Sequence, residues 1–178
     1  MKSNAANDVF RSCDSDGLTG AQYTTGGTST SEWAGNGDTY VGWSWLAANG
    51  TSTNTDGSIT STVSANPTAG FSIVTYTGTN ANATVGHGLG VAPKMVICKS
   101  RNSSSHSWYT YHASLGSSKY LYLNLNAAAG TGAAIWNGDP TSTVFTLGTS
   151  NGANQSSVTY VAYCFAEVEG YSKFGSYT

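Results

Sequence analysis

Large apolar side chains alternate with small or polar ones in short runs along this chain, with a period of two residues. Clusters of Gly, Asn, Ser and Pro separate the runs, as expected for strands joined by turns. The pattern predicts strands over 40–47, 70–77, 94–100, 107–112, 120–126, 133–136, 143–147 and 159–168. No run repeats its apolar residues at the spacing that an amphipathic helix needs, so the predicted fold class is all-β.

Short strands of this kind favour an antiparallel β-sandwich or jelly-roll-like module, in which two sheets pack about 10 Å apart. In the run 159–168 the larger side chains Val161, Tyr163 and Phe165 share one parity. We therefore expect that set to face the core, because successive residues of a strand point to opposite faces.

Two other runs also allow their faces to be predicted. In 120–126 the three leucines are expected inside, which turns Tyr120 and Tyr122 outward. The run 94–99 is apolar at both parities and is expected to be buried on both faces.

The chain also repeats part of itself. The run Thr-Tyr-Val-Gly-Trp-Ser-Trp at 39–45 returns as Thr-Tyr-Val-Ala-Tyr-Cys-Phe at 159–165, and 70–77 has a counterpart in 170–178. Internal repetition of this kind indicates stacked β modules.

The repeat sets the predicted domain boundaries. Residues 1–49 are expected to be a partial repeat that ends a preceding unit, and 50–69 a Ser/Thr/Asn-rich linker. Residues 70–170 form the complete sandwich module in this scheme. Residues 171–178 are a terminal strand, expected to pair with a neighbouring subunit because exposed strand edges are often used in that way.

Composition excludes several classes of partner. Charged residues make up 9% of the chain and the net charge is −2. A surface so poor in Lys and Arg predicts no nucleic-acid partner, and no basic amphipathic stretch predicts membrane binding. Residues 1–7 have no apolar core for a secretory signal, and no run approaches the roughly 20 apolar residues of a membrane span. The polar, uncharged surface is typical of an extracellular protein.

The three cysteines, Cys13, Cys98 and Cys164, follow neither a disulfide framework nor a zinc pattern. Cys98 and Cys164 lie in apolar strands, where a free cysteine packs as a small hydrophobe. A bridge between the two is the alternative.

Four stretches resemble a repeated module of tail-fibre-like structural proteins in marine bacteriophages. They are 70–78, 85–97, 108–116 and 159–170, and the most specific part is His-Gly-Leu-Gly-Val-Ala-Pro at 87–93. The resemblance implies a structural or host-attachment role in a virion.

The histidines and acidic residues are not spaced like a catalytic site. His87 has no partner nearby in sequence, so His87, Gly88, Gly90 and Pro93 are interpreted as a structural turn.

Two metal-binding alternatives are weak. His106 and His112 share one strand face, but no carboxylate joins them as a metal ligand. The segment 14–17 begins like a calcium loop without the later ligands. We therefore predict no catalytic residue, no metal and no cofactor.

Exposed aromatic residues are the most informative candidates. Tyr109, Tyr111, Tyr120, Tyr122 and Asn124 are predicted to form an outward contact surface. Tyrosine rings beside amides suit a glycan, but the abundance of tyrosines in this repetitive chain favours a contact between subunits.

The expected function is that of a non-enzymatic phage virion structural protein, tail-fibre-like or another surface subunit. It would assemble into a homo-oligomer or filament by strand addition and contact the host surface. One alternative is an extracellular carbohydrate-binding module. Another is a bacterial surface adhesin or pilus-like subunit, which would be expected to carry a secretion signal.

Overall fold

The computed structural model describes residues 10–14, 17–20, 24–25, 28–29, 39, 42–103 and 105–177. The chain divides into two compact units, Met1–Ser44 and Trp45–Thr178. In the first unit β1 (Phe10–Asp14) pairs with β2 (Gly17–Gly20), and β3 (Thr24–Thr25) pairs with β4 (Thr28–Ser29).

The second unit contains ten strands and one helical turn. The strands are β5 (Ser52–Asn54), β6 (Ser61–Asn66), β7 (Phe71–Thr77), β8 (Ala83–Gly86), β9 (Met95–Ser100), β10 (Tyr109–His112), β11 (Lys119–Tyr122), β12 (Gly130–Thr131), β13 (Val144–Leu147) and β14 (Thr159–Phe165). The helical turn is α1 (Asn151–Asn154), and within the described residues no helix is long and apolar enough to cross a bilayer.

Eight of these strands form one antiparallel sheet in the order β12-β11-β10-β9-β14-β7-β6-β5. The antiparallel pair β8 and β13, which are far apart in the sequence, forms a second, small sheet. The core lies between the two sheets, where Val85, Phe145 and Leu147 of the small sheet meet Val74 and Val96 of the large one. The all-β prediction is confirmed, and the arrangement is consistent with a β-sandwich.

The predicted faces of β14 are wrong. Tyr160, Ala162 and Cys164 are fully buried, whereas Val161 and Tyr163 are half-buried on the opposite face. Phe145 and Leu147 of the small sheet fill part of the core, and the small residues Ala162 and Cys164 on this face of β14 make room for that layer.

The predicted faces of β11 are also wrong. The register pairs Tyr109 with both Cys98 and Tyr122, which places Tyr120 and Tyr122 on the core side. The strand ends at Tyr122, so Leu123 and Leu125 lie in the following loop with 61% and 50% of their surface exposed. For the same reason Tyr109 and Tyr111 face inward and not outward.

The predicted linker 50–69 is part of the large sheet, as strands β5 and β6. Its two isolated apolar residues, Ile59 and Val63, are buried in the core. An outer strand of an antiparallel sheet needs few buried side chains, so a Ser/Thr-rich sequence suffices there. The module boundary therefore falls between Ser44 and Trp45 and not near Gly70.

Three further predictions differ from the structure. Residues 42–47 form no strand, and Trp43 is 75% exposed. Residues 133–135 form a turn and 136 is not in a strand, although Ile135 and Trp136 are buried as a strand prediction would require. At the C-terminus Ser172 bridges back to Val168 of its own unit, and 173–177 form no strand.

Candidate functional site

Three of the predicted contact residues form one tyrosine cluster on the core side of the large sheet. The rings of Tyr109, Tyr120 and Tyr122 have centroids 5.1 to 5.5 Å apart, at angles of 54 to 78°. Edge-to-face geometry of this kind is favourable for aromatic pairs. All three side chains are half-buried, so the cluster has a closed side and a side open to solvent.

Two glycines make room for this cluster. A Cβ at Gly152 would lie 2.4 Å from the Tyr109 ring, and a Cβ at Gly130 would lie 2.3 Å from the Tyr120 ring. Both distances are shorter than van der Waals contact, so the two rings can occupy these positions only because glycine has no side chain. Gly152 belongs to α1 and Gly130 to β12, which means that two separate elements form the walls of the cluster.

The hydroxyls distinguish these tyrosines from the other core-side tyrosines. The Tyr76 hydroxyl donates to the Ala153 carbonyl at 2.7 Å, and the Tyr160 hydroxyl donates to the Asn151 carbonyl at 2.7 Å. Within the described chain, no hydroxyl of the cluster forms a hydrogen bond to a group outside the cluster. A hydrogen bond with Tyr122 raises the pKa of Tyr120. The polar ends of the cluster therefore remain available to a ligand.

Tyr111 and Asn124 are not part of the cluster. Tyr111 is buried against Trp136, and its hydroxyl donates to the Asp139 carboxylate at 3.2 Å. Burial, with Asp139 adding to it, raises the pKa of Tyr111 to about 12. Asn124 is exposed and accepts the Trp108 backbone N–H at 2.9 Å, so it holds the end of the β10–β11 hairpin.

The opposite side of the large sheet, which β8 and β13 do not cover, is called the open face here. Cross-strand pairing arranges its side chains in rows. The middle row consists of Ser64, Ile73, Tyr163, Ile97, Thr110 and Leu121. Apart from Thr110, which is buried, every member is half-buried. A solvated face of an antiparallel sheet is normally polar, so large apolar side chains at the centre of this one are unusual.

A neighbouring row at one end of the open face is already covered by the chain itself. In this row Phe71 and Phe165 are buried, and the Trp45 ring packs on both, with centroids 6.0 and 5.3 Å away. Phe174 packs on Phe165 at 6.4 Å. The apolar side chains of this row are therefore buried by aromatic rings from other segments of the chain.

The rest of the open face is less completely covered. The Trp108 indole stacks on Tyr163 at 6.5 Å and 10°, and leaves Tyr163 half-buried. The Lys99 ammonium donates to the backbone carbonyls of Ser103 and His106. These hydrogen bonds replace some of the water that would otherwise solvate the charge. The sequence gives a signal for this face, because the run 159–165 carries aromatic residues at both parities.

The predicted turn at 87–93 follows β8 directly. His87 is buried, its Nε2 lies 3.1 Å from the Thr141 carbonyl oxygen, and its Nδ1 accepts the Leu89 N–H at 3.2 Å. Gly88 and Gly90 have φ of +72° and +75°, a conformation that favours glycine. Pro93 is buried at the end of the turn.

The two ring contacts of His87 require opposite roles. One nitrogen must donate to a carbonyl and the other must accept an N–H, so only the neutral ring satisfies both. Burial lowers the pKa of His87 below the ordinary 6.5, although the Thr141 carbonyl and the charge of Asp56 oppose the shift.

Acid should therefore destabilise the fold through His87. Because its pKa is lower in the folded state, the unfolded chain takes up the proton first as the pH falls below 6.5. The urea midpoint should be lower at about pH 5.5 than at about pH 7.5, a range above the ordinary carboxyl pKa values. His87→Gln should lose this dependence and His112→Gln should keep it. Equal midpoints at the two pH values in the unsubstituted protein would refute the assignment.

Cys98 and Cys164 are free and buried, as the sequence predicted. Burial raises the pKa of Cys98 to about 12 and that of Cys164 further, so both thiols remain protonated at neutral pH. Cys13 and the segment 14–17 lie outside the residues whose side chains the structure describes.

The two remaining histidines do not share one strand, because β10 ends at His112 and His106 lies before its first residue. His112 accepts the Ser114 N–H, and the buried Nδ1 of His106 has no hydrogen-bond partner. Among the described residues no group of three or more His, Cys, Asp or Glu side chains is placed to hold a metal ion.

One family model matches the chain, over residues 1–178, and its description is "Domain of unknown function (DUF7483)". No curated protein matches the chain, and no solved structure does.

Proposed function

The chain belongs to the DUF7483 domain family, and we propose that it is a non-enzymatic structural protein of a phage virion surface that assembles with copies of itself. The virion setting depends on the resemblance of the 87–93 motif and its companion stretches to tail-fibre-like proteins. The assembly role depends on one structural observation, which is the apolar middle row of the open face.

The size of the open face fits a contact between subunits. The middle row crosses six strands, β6 to β11 in sheet order. Two rows of this face remain uncovered, so at about 4.8 Å between strands and about 7 Å between rows the flat patch measures on the order of 400 Å². A stable interface buries about 800 Å² on each partner, and a corrugated surface has more area than its flat projection. The patch therefore fits the apolar centre of an interface, with flanking residues supplying the remaining area.

A second copy is the partner that fits this face best. The row on the other side of the middle row consists of Thr62, Thr75, Val161 and Lys99. Lys99 is the one charged side chain in these two rows, and its ammonium is held by backbone carbonyls. An uncharged apolar patch is complementary to itself, and two-fold contacts between identical patches are the commonest form of oligomer.

Face contact also explains the strand edges better than strand addition does. The sheet ends at β5 with three residues and at β12 with two. Very short edge strands are one of the ways in which proteins discourage pairing with another chain. We therefore propose association through the open face and not through the edges.

Replacing Ile73 by lysine tests this function. The change places a charge in the middle of the proposed contact, where each copy contributes one. The dimer dissociation constant from sedimentation equilibrium should rise at least about a hundredfold, because an unpaired buried charge is costly.

Val91→Lys is the matched control. Val91 is 50% exposed and apolar, but it lies in the turn between β8 and β9. Its lysine variant should associate as the unsubstituted protein does, and both variants should unfold at similar temperatures because a half-buried lysine can extend to water. Equal association of all three proteins would contradict the proposed contact.

A further inference from the structure

We propose that the tyrosine cluster Tyr109, Tyr120 and Tyr122 is a binding site for a neutral carbohydrate, which goes beyond assembly. The site lies on the core side of the sheet, opposite to the surface on which the sequence placed these tyrosines. The two functions therefore use different surfaces.

The exposed area of the cluster is too small for a protein partner. A fully buried tyrosine covers about 150–250 Å², so three half-buried rings expose on the order of 200 Å² together. A stable protein interface needs about 800 Å² per partner. An exposed surface of this size suits a ligand of one or two sugar residues.

The chain around the cluster carries no charge. From Tyr120 to Gly138 the chain has no Asp, Glu, Lys or Arg. Three phenol hydroxyls lie at the surface, and the exposed Asn151 directly precedes the Gly152 wall. Ring faces accept the C–H faces of a sugar, while phenol and amide groups can both donate to and accept from its hydroxyls.

The rings are held in place before any ligand arrives. Each ring contacts the other two, and the Gly152 and Gly130 walls limit Tyr109 and Tyr120. Little side-chain entropy remains to be lost on binding, which favours affinity even for a small ligand.

Saturation-transfer NMR of the full chain with the methyl glycosides of glucose, galactose, mannose and N-acetylglucosamine tests the site. At least one glycoside should receive saturation at its ring C–H protons. Tyr122→Ala should weaken that binding about tenfold, and Tyr122→Phe, which keeps the ring, should weaken it less. Tyr171→Ala removes a tyrosine that is 68% exposed outside the cluster and should change nothing.

Two outcomes would overturn the site. One is the absence of transfer to every glycoside, and the other is equal weakening by Tyr122→Ala and Tyr171→Ala when thermal unfolding shows both variants folded. Concentration-dependent association that Tyr122→Phe abolishes would instead identify the cluster as a protein contact. Ile73→Lys should leave sugar binding intact, so failure of assembly and failure of this site can be distinguished.

Discussion

Replacing Asn154 by alanine should lower the free energy of unfolding by about 3 kcal/mol or more, because several buried backbone groups lose their partner together. Asn154 has no solvent exposure. Its amide nitrogen donates to the carbonyls of Ala81 and Gly148 at 2.6 and 2.8 Å, and its side-chain oxygen accepts the Thr79 N–H at 2.8 Å. One side chain thus joins α1, the turn after β7 and the end of β13.

Asn151→Ala is the matched control for this prediction. Asn151 lies in the same helical turn and is exposed, and in the described chain its side chain makes no hydrogen bond. The same substitution there should change stability by less than about 0.5 kcal/mol. Urea unfolding of both variants measures the difference, and equal losses at the two positions would show that the Asn154 network adds nothing.

Replacing Trp136 by alanine should lower the free energy of unfolding by about 3–5 kcal/mol, the usual cost of removing a large aromatic side chain from a core. Trp136 is 2% exposed and packs edge-on against Tyr111 with centroids 6.1 Å apart. The cavity would open between the large sheet and the turn at 133–135.

Trp136→Phe separates packing from hydrogen bonding. The buried Trp136 Nε1 has no hydrogen-bond partner, so phenylalanine removes a polar atom that is unsatisfied in any case. The Phe variant should therefore lose clearly less stability than the Ala variant in the same unfolding measurement. A Phe variant as unstable as the Ala variant would contradict this description of the core.

Strand positions could largely be predicted from the sequence, because β7, β9, β10 and β14 combine alternation with flanking turn residues. β5 and β6 could not, since an outer strand rich in Ser and Thr has the same composition as a linker. β6 is identified as a strand by its pairing with β7, and β5 by its pairing with β6.

Which face of a strand is buried could not be predicted from the size of its side chains. In β14 the buried parity contains Tyr160, Ala162 and Cys164, and the larger apolar set lies on the open face. The answer depends on the shape of the small sheet, whose own large residues fill the core. The sequence of a single strand does not show which side chains of the second sheet will pack against it.

The tyrosine cluster was predicted in part. Alternation grouped Tyr109 with Tyr111 and Tyr120 with Tyr122, but it placed all four on the outer face. The register puts them on the core side, where Tyr111 is buried and the other three form the cluster. The Gly130 and Gly152 walls come from elements far along the chain, and nothing local to either glycine indicates its role.

The central claim is that a second copy covers the open face, and fluorine NMR of the full chain labelled with 5-fluorotryptophan tests it most directly. Trp108 lies on that face, stacked on Tyr163, and the spectrum of Trp108→Phe assigns its signal among the five tryptophans. As protein concentration rises, the Trp108 signal should lose its sensitivity to exchange of H2O for D2O. A Trp108 signal that remains equally sensitive at every concentration, in a chain that sediments as a monomer throughout, would contradict the claim.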